Sequence, residues 1–344
     1  MSHSTVPRSR TEADTTAKTP VASGGATGSG RKPSSGKLSL RLRLRRDRVL
    51  LLMTLPAVAL VLLFNYVPIL GNVVAFQDYD PYISDNGVVS MLNSPWVGVE
   101  NFQRIFEDSA FWQAVQNTLV LFFLQLVLFF PIPILLALLI NSVVRPRVRA
   151  IAQAVLYLPH FFSWVLVIAV FQQLLGGAGL LSQLLRDHGY DGLDIMTDPS
   201  TFKFLVTAQA VWKDAGWGII VFLAALAAVS PDLYEAAAMD GAGRWRRMWH
   251  VTLPALRPVI ALLLVLRVGD ALTVGFEQIL LQRDAVGPGA AEVLDTFVWW
   301  NGVRNQDFGY AAAAGLVKGV ISIGLVLAAN KVAHLMGEQG VYKK

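Results

Sequence analysis

The sequence predicts an all-α integral membrane protein with six spanning helices. Three observations carry the prediction. The 344 residues are 54% hydrophobic, with a mean hydropathy of +0.50 and only 15% charged residues, against roughly 25% charged in an ordinary soluble domain. Six apolar runs each reach the ~20 residues that a helix needs to cross a bilayer. The Lys and Arg residues between those runs are distributed unevenly, as membrane topology requires. Helix is the expected form of every run, because a lipid-exposed backbone must satisfy its own hydrogen bonds.

In chain order, residues 1–46 are rich in Ser, Thr, Gly, Ala, Pro and Arg and have almost no large apolar residue before Leu38. Such a segment buries too little surface to offset its ordering entropy, so a disordered basic tail is expected. Most of the net charge of +5 comes from the first 48 residues, which makes a nucleic-acid partner a poor reading. The run RLRLRRDR (41–48) precedes the first apolar run and reads as a topogenic signal that keeps the N-terminus in the cytoplasm. It is a poor signal peptide, because the charged leader is long and the run after it has full spanning length.

The six-helix domain is expected over 47–344, with spans at about 49–70, 114–141, 150–175, 203–228, 257–281 and 309–335. Pro131 and Pro133 should kink the second. The small residues AAAAG (311–315) suit close helix contacts in the sixth. With the N-terminus inside, the inner segments hold the basic tail, Arg145, Arg147, Arg149, Arg244, Arg246, Arg247, Arg257, Lys331, Lys343 and Lys344. The outer segments hold only Arg104, Arg186, Arg283 and Arg304. Both termini are therefore expected in the cytoplasm of a multi-pass plasma-membrane protein. The two long outer segments, 71–113 and 282–308, carry aromatics such as Trp96, Trp112, Trp299 and Trp300. These read as interfacial anchors, with docking of an external partner as the alternative.

Covalent chemistry is not visible. GATGSGR (25–31) lacks the lysine of a phosphate loop and has no strand before it. The five histidines are scattered without metal-ligand spacing. There are no cysteines, which excludes disulfides and thiolate sites. The chain reads as a non-enzyme. If its work needs ATP, another chain must hydrolyse it.

Charges within membrane spans cost roughly 2.5–3.5 kcal/mol each and normally face a bundle interior or an aqueous path. Arg267, Asp270, Thr273 and Glu277 are spaced to share one stripe of the fifth expected helix. Lys213 and Trp217, with Asp214 beside them, lie in the fourth. An indole near hydrogen-bonding groups suits a sugar, whose apolar face stacks while its hydroxyls find partners. The stripe reads as the lining of a passage. For any single residue the alternative is an interhelical salt bridge, such as Lys213 or Arg267 with Asp270 or Glu277.

The stretch EAAAMDGAGRWRRMWHVTLP (235–254) stands between two apolar runs. Pro231 and Asp232 fit a helix start, Gly241 permits a sharp bend, and Arg244 to Trp249 fit an amphipathic helix at the inner membrane surface. Pro254 then precedes re-entry into the membrane at Pro258. A rigid elbow in the cytosol is a handle, and its small residues allow another protein close approach.

This stretch resembles the EAA loop (231–256 here) of permease subunits in binding-protein-dependent ABC importers. Glu235, Ala236 and Ala237 match the opening triplet, Gly241 follows after three residues, and Leu253 and Pro254 close the pattern. PDLYEAAAMDGAGRWRRMWHVTLPALRP is close to the carbohydrate-uptake branch, as are SPWVGVENFQRIF (94–106), YLPHFFSWV (157–165), FEQILL (276–281), VLDTFVW (293–299) and LAANKVAHLMGEQGVY (327–342). The later pieces resemble the subgroup for complex saccharides and their oligosaccharide fragments. The resemblance runs from about Leu50 to the C-terminus.

The resemblance implies the type I ABC importer permease fold, paired with a second permease as a heterodimer in a bacterial plasma membrane. It also implies two cytosolic ATPase subunits that hold ATP and Mg, with no cofactor on this chain, and an extracellular solute-binding lipoprotein. Glu235 would contact the ATPase, Ala236 and Ala237 would pack against it, and Gly241 would make the bend, with Asp240 and Pro254 in the same coupling set. An ABC permease for a peptide, phosphate or metal stays open as an alternative. Outside the family the alternatives are an ion-driven secondary transporter, which needs no such loop, and a membrane enzyme.

Overall fold

The computed structural model describes residues 48–335, so the basic tail expected at 1–46 lies outside the described residues, as do Lys343 and Lys344. The chain divides into two compact units, Met1–Leu63 and Phe64–Lys344. The described part of the first is helical from Arg48, with Pro56 inside the helix. Its Thr54 hydroxyl donates to the Leu51 carbonyl at 3.0 Å.

Among the described residues six helices are long and apolar enough to cross a membrane: Arg48–Phe76, Ser109–Ser142, Trp164–Asp187, Phe202–Ala227, Arg244–Gly269 and Phe308–Val332. The number of spans is as expected, but the third and fifth are displaced from the expected ranges. The apolar run 150–175 is not one helix. The Pro146–Tyr157 helix gives way to a 3₁₀ turn at Leu158–Phe161, and Ser163 caps a new helix by accepting from Leu166 N at 3.3 Å. Pro159 has no N–H to continue the helix, and a serine N-cap restarts it.

The expected span 257–281 is likewise corrected. Its helix begins earlier, at Arg244, passes through a π turn at Met248–Thr252 and ends at Gly269. Pro254 and Pro258 therefore sit inside the span instead of marking its edge. A π turn already alters the i→i−4 hydrogen bonding that a proline interrupts. The basic segment 244–249 is the start of this span, not a separate surface helix. Beyond Gly269 the chain turns, and Gly275 at φ +70° leads into the short helix Phe276–Leu280. The second span also contains a π turn, Gln125–Phe129, directly before the helix that Pro131 opens.

Among the described residues of the second unit, three buried clusters hold the helices together. One joins Ala137 and Ile140 of the second span to Ile219, Phe222 and Leu226 of the fourth and Leu256 of the fifth. Another packs Leu121, Phe202 and Val206 against Val274, Ile279 and Val293 of the chain after Gly269. The third centres on Phe111, Phe297 and the expected small-residue stretch, whose Ala313 and Ala314 are fully buried. Without a hydrophobic force between helices in lipid, such contacts rest on close packing. Small residues set that packing: a Cβ on Gly218 would stand 2.9 Å from Pro133, and one on Gly309 would stand 2.5 Å from the Gln77 carbonyl.

Candidate coupling and translocation sites

The elbow at 230–243 is built from local hydrogen bonds. Ser230 accepts from Asp232 N at 3.3 Å, Pro231 opens the helix Pro231–Met239, and Asp232 lies in its first turn. At the other end Gly241 adopts φ +73°. Gly241 N donates to Ala238 O at 3.0 Å, and Ala242 N donates to Ala237 O at 2.9 Å. These paired bonds form a Schellman turn, which satisfies the last carbonyls and needs a left-handed residue at its corner. No residue of the helix is buried, and the Met239 side chain is 89% exposed. Tyr234 anchors the helix through a 3.2 Å hydrogen bond between its hydroxyl and Thr252 Oγ1. Glu235, Ala236 and Asp240 are exposed and Ala237 is half-buried, while Pro254 lies apart in the fifth span. The helix thus presents Leu233, Glu235, Ala236 and Met239 as a partly apolar surface, of the kind that marks protein contacts.

The second constellation sits where the run 150–175 breaks. The break removes the helical partner of the His160 carbonyl, and Lys213 Nζ of the fourth span donates to it at 2.8 Å. Lys213 is otherwise buried. It lies 3.6 Å from Asp214 Oδ1 and 5.5 Å from the centre of the Trp164 ring. His160 Nδ1 is 2.9 Å from the same Asp214 oxygen, and its ring stacks on Trp217 with centroids 4.6 Å apart. The expected residues Lys213, Asp214 and Trp217 are thereby brought together. His160 and Trp164 complete the group and were not expected in it. The signal for them was Pro159 followed by Ser163, a helix stop and start within one apolar run.

The expected stripe in the fifth span does not exist as one helical face. Arg267 is the last basic residue before the helix ends, and Asp270, Thr273 and Glu277 follow on a turn and a separate short helix. Arg267 donates to Gln125 Oε1 and lies 6.0 Å from the Phe129 ring, so neither Asp270 nor Glu277 is its hydrogen-bond partner. The Lys213 ion pair is with Asp214 on its own helix. Asp270, Thr273 and Glu277 are exposed. Thr273 lines a cavity of about 600 Å³ together with Asn72, Phe276, Asp295, Trp299 and Phe308. Asp295 is paired with Lys318, and its second oxygen is buried without a partner.

Around these groups polar side chains pair with one another, although Gln278 Oε1, Glu292 Oε1 and Arg267 Nε are buried without a hydrogen-bond partner. Gln209, Gln278 and Gln282 form a buried triad in which Gln278 Nε2 donates to Gln209 Oε1 at 2.8 Å and Gln209 Nε2 to Gln282 Oε1 at 3.1 Å. Arg283 is paired with Glu292 and covers Trp300 at 3.6 Å from the ring centre. Asp198, at the entry to the fourth span, accepts from Ser200 N at 2.9 Å and Thr201 Oγ1 at 3.1 Å. Those bonds, led by the Ser200 backbone, hold its carboxyl below the usual range.

Residues 129–335 match the family described as binding-protein-dependent transport system inner membrane component. The chain is 43% identical over 304 residues to the polygalacturonan/rhamnogalacturonan transport system permease protein YteP of Bacillus subtilis (strain 168), covering 88% of this chain and 93% of that protein. Protein LplB of the same organism is 38% identical over 311 residues, covering 90% of this chain and 96% of LplB. A crystal structure of a bacterial alginate ABC transporter, in complex with an alginate pentasaccharide-bound periplasmic protein, aligns with a TM-score of 0.79 and 35% identity. That alignment covers 88% of this chain and 99% of the other. The chain belongs to the inner membrane components of binding-protein-dependent transport systems: it is a multi-pass permease subunit of the type I ABC importer fold, a transport component and not an enzyme.

Proposed function

We propose that this chain forms half of the translocation path of an ATP-driven oligosaccharide importer, as one partner of a permease heterodimer. An extracellular solute-binding lipoprotein delivers the sugar. Two cytosolic ATPase subunits hold ATP and Mg, and this chain holds no cofactor of its own. Both termini and the elbow face the cytoplasm, as the distribution of Lys and Arg favours. The sugar assignment is supported most by likeness across 88% of the chain to a permease named for polygalacturonan and rhamnogalacturonan.

In this reading the helix Pro231–Met239 seats in the ATPase, with Glu235, Ala236, Ala237, Asp240 and Gly241 shaping the contact and Pro254, inside the fifth span just after its π turn, belonging to the same coupling set. Movement of the ATPases rocks the elbow and with it the fourth and fifth spans, which the elbow connects. Alternating access by rocking of packed helices requires such a rigid link. The path is assigned to Lys213, Asp214 and Trp217, and to Arg267, Asp270, Thr273 and Glu277. Trp217 offers a ring face to a pyranose, and Thr273 opens on the cavity beside Phe276 and Trp299.

The test is uptake by the complete complex in proteoliposomes with its binding protein, using radiolabelled oligogalacturonides beside neutral maltooligosaccharides. The expected result is ATP-dependent uptake of the oligogalacturonides that is indifferent to a protonophore. Uptake that ignores ATP and collapses with the protonophore would instead make the chain a secondary transporter. ATP-dependent uptake of neither sugar would remove the substrate assignment.

A further inference from the structure

A second cavity, of about 790 Å³, lies between the end of the second span and the start of the fifth. That volume falls within the roughly 300–1,000 Å³ of small-ligand sites. Its polarity is graded along the second span. Leu135, Leu138 and Leu139 form one wall, and Asn141 and Ser142 follow at the helix end. At a rise of about 1.5 Å per residue, the leucines sit within about 10 Å of that end. The opposite wall carries Trp245 and Trp249, 74% and 58% exposed, and two guanidinium groups, Arg244 and Arg247. No acidic residue lines the cavity.

We propose that this groove holds one anionic phospholipid of the inner leaflet, its phosphate at Arg244 and Arg247 and its acyl chains along the leucines. The matching order of charge, amide and hydroxyl, and hydrocarbon is the order of a phospholipid from headgroup to tail. A cytosolic protein surface would supply negative charge for the arginines but no chain to lie along Leu135 and Leu139. The inner leaflet supplies both. The two exposed indoles suit the headgroup boundary, where amphipathic rings concentrate. Thr252 lines the groove and Tyr234 of the elbow bonds to it, so the lipid steadies the base of the coupling helix.

The proposal rests on the cytoplasmic placement of the elbow. That is tested separately: the chain has no cysteine, and Met239→Cys should react with a membrane-impermeant maleimide only after the membrane is opened. The groove itself is tested in the assembled complex in nanodiscs, by quenching with brominated phosphatidylglycerol or brominated phosphatidylcholine. The signal is the difference between the wild type and the Trp245→Phe/Trp249→Phe variant. At about fivefold per arginine, phosphatidylglycerol should half-quench at an about 25-fold lower mole fraction than phosphatidylcholine, and Arg244→Gln/Arg247→Gln should bring the two together. If that pair fails to assemble, each single variant should lose about fivefold. Leu135→Phe/Leu139→Phe, which narrows the groove, keeps both arginines and adds no indole, should abolish the preference. Equal quenching by both lipids in the wild type would overturn the proposal, as would a preference that survives loss of the arginines. Absence of quenching by either would overturn it too, and would give the groove to a protein subunit.

Discussion

The elbow at 230–243 and the helix break at 158–163 are both interruptions of helix, but they are held by opposite means. The bend of the elbow is closed by bonds between residues no more than five apart, with one longer bond, Tyr234 to Thr252, tying it to the fifth span, and its surface is exposed. The break is closed by groups more than fifty residues away: Lys213 on the His160 carbonyl and Asp214 on the His160 ring. A helix that stands exposed takes its bend mostly from its own residues. A part that must stay coupled to the bundle takes its shape from the bundle. The glycines follow suit. Gly241 has open space around its Cα and needs only its left-handed backbone, whereas Gly216 has ordinary backbone but lies directly against the Leu156 carbonyl.

That contrast yields an ordered set of predictions. The largest effect is expected from Gly216→Leu. The new side chain meets backbone that cannot move aside, and overpacking of this kind costs about 1–3 kcal/mol or more. The complex should fail to assemble, measured as loss of a monodisperse peak. Normal assembly would show that the break does not depend on close approach at Gly216.

Next is Gly241→Val. A branched residue at positive φ costs about 1–2 kcal/mol, and no clash adds to it. Assembly should survive while sugar transported per ATP hydrolysed falls severalfold. Gly241→Asn should recover most of that ratio, because asparagine tolerates the left-handed region. If both substitutions behave alike, the backbone of the Schellman turn is not what couples the elbow.

A smaller loss is expected from His160→Ala, which leaves Asp214 with Lys213 alone and removes the ring stacked on Trp217. Uptake should fall with assembly intact. Unchanged uptake would reduce the cluster to a helix tie without a role in the path.

The smallest effect belongs to Asp198. Its folded-state pKa is depressed, so its contribution to stability is full above the ordinary carboxylate range and is lost as pH falls through the lower folded value. Wild type and Asp198→Asn should therefore differ slightly in thermal stability at neutral pH, and the difference should shrink as pH falls through and below the ordinary carboxylate range. A difference that persists in acid would assign the effect to packing and not to charge.

The same contrast explains what was legible in the sequence. The elbow could be read because its determinants are local: Pro231 at the start, Asp232 in the first turn and Gly241 at the corner. The number of spans followed from length and hydropathy. The break was hidden because Leu158 to Trp164 remains apolar enough to extend the run on either side, and its closing partner is in another helix. The fifth span was displaced because Pro254 and Pro258 read as boundaries, although a π turn accommodates them, while Gly275 and the buried Ala271, Leu272 and Val274 belong to a packed turn. Once that span ends at Gly269, the stripe of Arg267, Asp270, Thr273 and Glu277 dissolves, because helical periodicity holds only within a helix. Arg267 and Lys213 found partners, Gln125 and the His160 carbonyl, that no spacing within their own helices could indicate.

The central claim is that the helix Pro231–Met239 transmits the work of a separate ATPase. Met239→Cys gives this cysteine-free chain a single thiol at a position on that helix that is 89% exposed. Carrying a short maleimide-linked photoreactive group in the intact complex, it should form an adduct with the ATPase subunit, and the yield should change between nucleotide-free and ATP-bound states. An intact complex that forms no such adduct in either state would contradict the claim.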